Sequence, residues 1–242
     1  MIKLDNFSSF FVANWKLNGN FKFIDQFITE ISLPQDTSKC VVICPTTIHL
    51  DYMSKNKTKF YVGAQNVSQH KDGAFTGEIS ADSLSDLNVN FCIVGHSERR
   101  QFFFEKNEDI NHKSENLIKK NIIPIVCVGE TLEDKEKGIT NGILEEQLKK
   151  SIPISSNFQN TIIAYEPVWA IGTGLTPTNK EINDTHSFIR EHNSKFNKFK
   201  IIYGGSVKAN NVNEITSLLN VDGALIGGAS LKSDEFTKII QD

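Results

Sequence analysis

Apolar residues recur along this chain in short runs, about one every 30 residues, separated by longer stretches with helical spacing. The short runs are rich in Val, Ile and Phe and apolar on both faces, the pattern of buried parallel strands. In the longer stretches apolar residues return every three or four positions, as on amphipathic helices. Strands are predicted over 9–13, 41–44, 59–64, 91–95, 122–129, 161–166, 200–203 and 224–226. Helices are predicted over 21–31, 48–53, 81–87, 107–120, 144–151, 178–195, 211–219 and 233–240. The polar stretch 67–80 reads as a loop. Strand and helix alternate with no linker between them, so one α/β domain spanning 1–242 is expected. Right-handed βα units allow a closed (βα)8 barrel or an open doubly wound sheet. No GxGxxG follows the first strand, which argues against a dinucleotide fold. A length of 242 residues suits a barrel with few insertions.

Charge narrows the partners. The chain carries 26 Lys and Arg against 29 Asp and Glu, a net of −3, so no basic field invites nucleic acid or an anionic membrane. No apolar run has transmembrane length, and the N-terminal residues lack a signal-peptide pattern. Cys40, Cys44, Cys92 and Cys127 form no CxxC and lie in or at the start of apolar runs, as reduced core thiols of an intracellular protein do. A cytoplasmic protein is expected.

The candidate chemistry stands just beyond the strands. Asn14 and Lys16 follow the first, Gln65 and Asn66 the third, His96 and Glu98 the fourth, and Glu130 the fifth. Glu166 ends the sixth, Ser206 follows the seventh, and Gly227 and Gly228 follow the eighth. A barrel brings these ends to one face, where active sites form. Pro167 pushes Glu166 toward extended backbone and stops its strand. Val168-Trp169-Ala170-Ile171 then leads to Gly172-Thr173-Gly174, an apolar flap with no room for a helix and a shape for excluding water. The glycine-rich turns 204–206 and 227–228 leave backbone N–H groups open to a phosphate. His96 and Glu98 lack a third ligand at plausible spacing, so no metal site is expected, and no cofactor motif is present. His49, His70, His112, His186 and His192 read as surface or helix-face residues. A carboxylate, an imidazole and an ammonium around an anion suit proton abstraction next to a carbonyl.

These residues carry a family resemblance. AYEPVWAIGTG at 164–174 resembles the signature of the triosephosphate isomerases. Asn14-Trp15-Lys16, GHSERR at 95–100, YGGSV at 203–207 and GGASL at 227–231 are similar to that family's other motifs, in the same order along the chain. The resemblance implies a TIM barrel that interconverts dihydroxyacetone phosphate and D-glyceraldehyde 3-phosphate in glycolysis and gluconeogenesis. By it, Glu166 is the base, His96 the neutral electrophile with a helix N-terminus behind it, and Lys16 the anion-binding cation. Asn14 orients the substrate oxygens and Glu98 orients Lys16. Phosphate would be held at Gly172, Ser206, Gly227 and Gly228. Residues Pro167, Val168, Trp169, Ala170, Ile171, Gly172, Thr173, Gly174 and Leu175 would form a closing lid. Ser97 would hold the base at rest, Glu130 would meet Trp169, and Tyr203 and Ser206 would latch the lid.

The same resemblance implies a homodimer. Its intersubunit loop would contain Gln65, Gly73, Phe75, Thr76, Gly77 and Glu78, with Thr76 reaching the partner's site. Several positions depart from the family's pattern. Leu175 stands for a usual lysine, Pro177 for alanine, Phe104 for glycine, Asn107 for aspartate, Lys135 for arginine and Leu17 for methionine. Phe102, Phe103 and Phe104 pack either in the core or at the dimer edge. Two other readings compete. One is another phosphosugar barrel, such as an aldolase or a different isomerase; an aldolase needs a Schiff-base lysine or a metal, neither of which is evident. A non-catalytic barrel could dispense with Glu166 or His96, and both are present.

Overall fold

The computed structural model describes residues 2–171 and 175–241. Eight parallel strands close into a barrel, each bonded to its sequence neighbours and the last to the first. They are β1 Ser9–Asn14, β2 Lys39–Cys44, β3 Tyr61–Ala64, β4 Phe91–Val94, β5 Ile123–Val128, β6 Ile162–Tyr165, β7 Lys200–Tyr203 and β8 Gly223–Ile226. The closed alternative is therefore the one adopted. The seam is tight. Gly223 has φ +135°, and a Cβ there would sit 2.0 Å from the Phe10 carbonyl oxygen of β1, so only glycine lets the eighth strand reach the first.

Ten helices are found among the described residues. They are α1 Phe21–Glu30, α2 Leu50–Asn56, α3 Ala81–Asp86, α4 Ser97–Phe102, α5 Asn107–Lys119, α6 Leu132–Glu136, α7 Thr140–Ser151, α8 Asn179–Glu191, α9 Val212–Thr216 and α10 Ser233–Gln241. None is long and apolar enough to cross a membrane. Strand alternation divides the core in two. Phe10, Val12, Val42, Phe91, Ile125, Ile162 and Leu225 fill the barrel interior. Phe11, Ala13, Val41, Ile43, Val126, Ile163 and Ile201 meet the helices outside it. Burial on both faces is why the strands read as continuous apolar runs.

The differences from expectation are local. Helices α4 and α6 were not expected, for they have six and five residues, almost all polar, and show no apolar period. The α6 start was still written in the sequence. Thr131 Oγ1 accepts the Asp134 N–H, and Asp134 Oδ2 accepts the Thr131 N–H, a reciprocal cap. The helix expected over 178–195 stops at Glu191, because Asn193 turns extended and its side chain caps a separate 3-10 turn, Ser194–Phe196. Val168–Ala170, predicted to have no room for a helix, closes a single 3-10 turn.

Candidate active site

The C-terminal strand ends converge as expected. Asn14, Lys16, His96, Glu166, Ser206, Gly227 and Gly228 line one cavity of about 230 Å³. Each is set by local chemistry. Asn14 ends β1 buried, and its Oδ1 accepts the Lys16 N–H at 3.1 Å. That bond holds a turn in which Lys16 has φ +52°, a left-handed conformation that costs a side-chain-bearing residue about 1 kcal/mol. Gln65, expected at the end of the third strand and in the subunit loop, braces this turn. Its Nε2 donates to the Lys16 and Cys44 carbonyls, both at 2.9 Å. The lysine ammonium then meets Glu98 Oε1 at 2.5 Å.

His96 follows Gly95 at the start of α4 and is buried. Its Nδ1 accepts the Glu98 N–H at 3.2 Å, so the ring proton of the neutral form belongs on Nε2. Nε2 faces Glu166 Oε1 at 3.0 Å. The other carboxylate oxygen, Oε2, accepts the backbone N–H of Ser97 at 2.9 Å. Burial opposes charge on His96, but the facing Glu166 carboxylate overrides it and lifts the imidazole above its ordinary value. Burial likewise pushes Glu166 up, while His96 and the Ser97 N–H pull harder and hold it below the usual carboxylate range. In this arrangement the helix N-terminus is not alone in setting the imidazole's charge. Behind Glu166 the packing leaves no slack. A Cβ at Gly129 would stand 1.7 Å from the Glu166 carbonyl oxygen, and one at Gly204 2.8 Å from its Cγ.

Residues around the flap also come together. Glu130 is buried, and its Oε1 accepts the Trp169 indole N–H at 2.7 Å and the Tyr165 hydroxyl at 3.2 Å. Burial raises its carboxyl. Ser206 Oγ donates to the Ala170 carbonyl at 2.9 Å. The Tyr203 hydroxyl is buried with no hydrogen-bond partner among the described residues, and Tyr203 borders a small cavity with Thr176 and Pro177. Pro167, Val168 and Ile171 carry the chain on from Glu166, and Leu175 is exposed. Gly172, Thr173 and Gly174, named as lid and phosphate contacts, lie outside the described residues.

The loop after β3 projects from the barrel. Gly73 and Gly77 have positive φ, Phe75 stacks on His70 with centroids 3.6 Å apart, and Thr76 and Glu78 are exposed. Beside the site lies a second cleft of about 540 Å³ lined in part by Asn14, Leu17, Gln65, Glu98 and Phe103. Leu17 is 93% exposed, and Phe102, Phe103 and Phe104 are 63–80% exposed, so the Phe cluster is not core packing. Two histidines correct the sequence reading. His49 is nearly buried against Thr46, and His186 is wholly buried beside Tyr165 and Tyr203. The four cysteines are buried and unpaired. No group of three His, Cys, Asp or Glu among the described residues is placed to hold a metal ion.

Comparison with known proteins agrees along the whole chain. A family model described as triosephosphate isomerase matches residues 9–242. A triosephosphate isomerase of Mesomycoplasma hyorhinis is 42% identical over 236 residues, covering 95% of this chain and 96% of that one. One from Francisella tularensis subsp. mediasiatica is 44% identical over 239 residues, 95% and 94% of the two chains. One from Francisella philomiragia is 40% identical over the same span, with the same coverage.

Proposed function

Because the chain belongs to the triosephosphate isomerase family and interconverts dihydroxyacetone phosphate and D-glyceraldehyde 3-phosphate, we propose that Glu166 carries the proton between the two carbons. The carboxylate takes a proton from the carbon beside the carbonyl. The C–H electrons become the new C=C bond, and the carbonyl oxygen becomes the enediolate oxygen. His96 Nε2–H and the Lys16 ammonium stabilise that charge, His96 passes the hydroxyl proton, and Glu166 returns its proton to the neighbouring carbon. Asn14 orients the oxygens, and Glu98 aims Lys16. To reach substrate the carboxylate must leave the Ser97 N–H. The influence that lifts His96 leaves with it, while burial and the α4 N-terminus remain, so the imidazole acts as the neutral donor.

The phosphate sits at Ser206, Gly227 and Gly228, with Gly172 completing the set. Loop 167–175 closes over it and excludes water, which protects the enediolate from losing phosphate. Glu130 receives Trp169, Ser206 holds Ala170, and the Tyr203 hydroxyl, without a partner among the described residues, is a latch for the loop's far end. The cleft beside Asn14 and Glu98, rimmed by exposed Leu17 and Phe103, suits Thr76 of a second copy, and we infer a homodimer. Four unpaired thiols suit a reducing cytoplasm.

The observation that carries this reading is the buried Glu166 carboxylate, held by Ser97 and His96 at the rim of the cavity that Lys16 shares. Glu166→Asp, which retracts the carboxylate by one methylene, should lower kcat by about 100-fold or more. Lys16→Met should lower kcat/KM steeply. An undiminished kcat in folded Glu166→Asp would remove Glu166 from the role of base.

A further inference from the structure

Lys135 sits on the short helix α6, its backbone fixed by the Thr131–Asp134 cap one turn earlier. Its ammonium lies 3.5 Å from the centroid of the Trp169 ring. The same ammonium lies 3.0 Å from Glu181 Oε1. These two partners stand at opposite ends of one segment. Trp169 follows β6 by four residues, in the turn that begins the loop. Glu181 belongs to the first turn of α8, and its other oxygen accepts the Thr178 N–H at 2.7 Å and the Thr178 hydroxyl at 2.9 Å. Thr178 is where the loop re-enters regular structure. Glu130 already holds the indole N–H at its edge, so the lysine supplies the face.

We propose that Lys135 is a positioning residue that ties Trp169 and the Glu181 end of α8 to helix α6 and sets how readily Trp169 leaves its seat. A cation over an indole face is held by the ring's quadrupole. Thr178 and Lys135 hold the Glu181 carboxyl down at about 2, so the ion pair is intact across the working pH range. The consequence for the reaction is mechanical. Only Pro167 and Val168 separate Trp169 from Glu166, so a seat that releases the indole too easily also loosens the base. This inference rests on the reading of 167–175 as a closing loop.

The chain has two tryptophans, so 5-fluorotryptophan labelling gives two 19F resonances, with Trp169 assigned by Trp169→Phe. Spectra are compared for the unsubstituted protein, Lys135→Met, Lys135→Arg, Glu181→Gln and the Lys135→Met/Glu181→Gln pair, with and without sn-glycerol 3-phosphate as a non-reacting probe. Lys135→Met should move the Trp169 line and speed its exchange about threefold to tenfold, the scale of a partly exposed cation–π contact and ion pair. The Trp15 line should stay, Lys135→Arg should restore the Trp169 line, and the double variant should change less than the two single effects combined. A Trp169 line and exchange rate identical in Lys135→Met and the unsubstituted protein, whatever happens to Tm, overturns the role of Lys135. A Trp169 line that ignores the probe in the unsubstituted protein overturns the closing-loop reading, and this inference with it.

Discussion

His186 should make this barrel sensitive to mild acid, in a way a single substitution can remove. The side chain is fully buried on α8, with its ring edge-on to Tyr165 at 5.7 Å. Its Nδ1 faces the Asn220 carbonyl at 3.2 Å, and Nε2 has no partner among the described residues. A proton added there would put an unpaired charge in the core, near the Arg190 guanidinium. Burial accordingly pushes the imidazole down to about 3. An unfolded chain binds that proton at about 6.5, so acid favours the unfolded state from pH 6.5 downward and the loss continues to the folded value. Between pH 7 and pH 5 the linkage amounts to about 2 kcal/mol. His186→Gln keeps a donor for the Asn220 carbonyl and cannot titrate. Urea unfolding of both proteins at fixed protomer concentration, at pH 7 and pH 5, isolates the term, since every other titrating group cancels in the difference. The variant should gain about 2 kcal/mol on the parent over that interval, even if it starts less stable. Stability curves that stay parallel would mean His186 takes up its proton in the fold, and the burial argument fails.

Other substitutions probe the packing of the site. Gly129→Ala should lower kcat by about 100-fold or more, because its methyl would displace the Glu166 backbone. Gly142→Ala, in α7 with open space around it, should leave kcat alone and raise stability by about 0.5–1 kcal/mol. Equal kcat in the two variants would discard the claim that Gly129 positions the base. Asn107→Asp should raise Tm by about 2–4 °C, since Asn107 Oδ1 already accepts Arg100 Nη1 at 2.7 Å and a carboxylate would add charge to that bond. A lower Tm would show that the guanidinium's charge is already balanced. Dilution that splits the protein into monomers, followed by sedimentation, should abolish activity in step with the monomer fraction. Full activity in a monomer would free the site from the partner's Thr76.

What could be read without coordinates follows from period and position. The strands announced themselves because each is buried on both faces, and the site residues because each stands at the end of a strand or within four places after it. The glycine turns at 204–206 and 227–228 were visible for the same reason. Helices α4 and α6 were not, since SERRQF and LEDKE are short and almost wholly polar and show no apolar face. Gln65 was placed at a strand end and in the outer loop, but nothing in its neighbours says that its amide reaches back to the Lys16 turn. His186 and Gly129 were misjudged or passed over because their importance lies in what packs against them from distant strands. Burial of a helix-face histidine, or a 1.7 Å approach of a carbonyl, has no local signature. Lys135 belongs to this class too, for its partners lie 34 and 46 positions away.

The two central charges are held in costly states by opposite means. Lys16 takes a left-handed backbone that costs it about 1 kcal/mol, and Asn14 and Gln65 bond that turn on either side so that it cannot relax. Glu166 has an ordinary backbone, but its charge is buried, and burial alone would neutralise it. His96 and the Ser97 N–H keep it ionised while no substrate is present. The lysine is thus fixed in place, and the carboxylate is fixed only in charge. That difference matches the work each must do. An anion-binding cation gains from staying still, since its partner comes to it. A base that serves two carbons must change position, and it can do so cheaply only if the bonds it leaves behind are few. Glu166 leaves only the Ser97 N–H and the imidazole that faces it at rest.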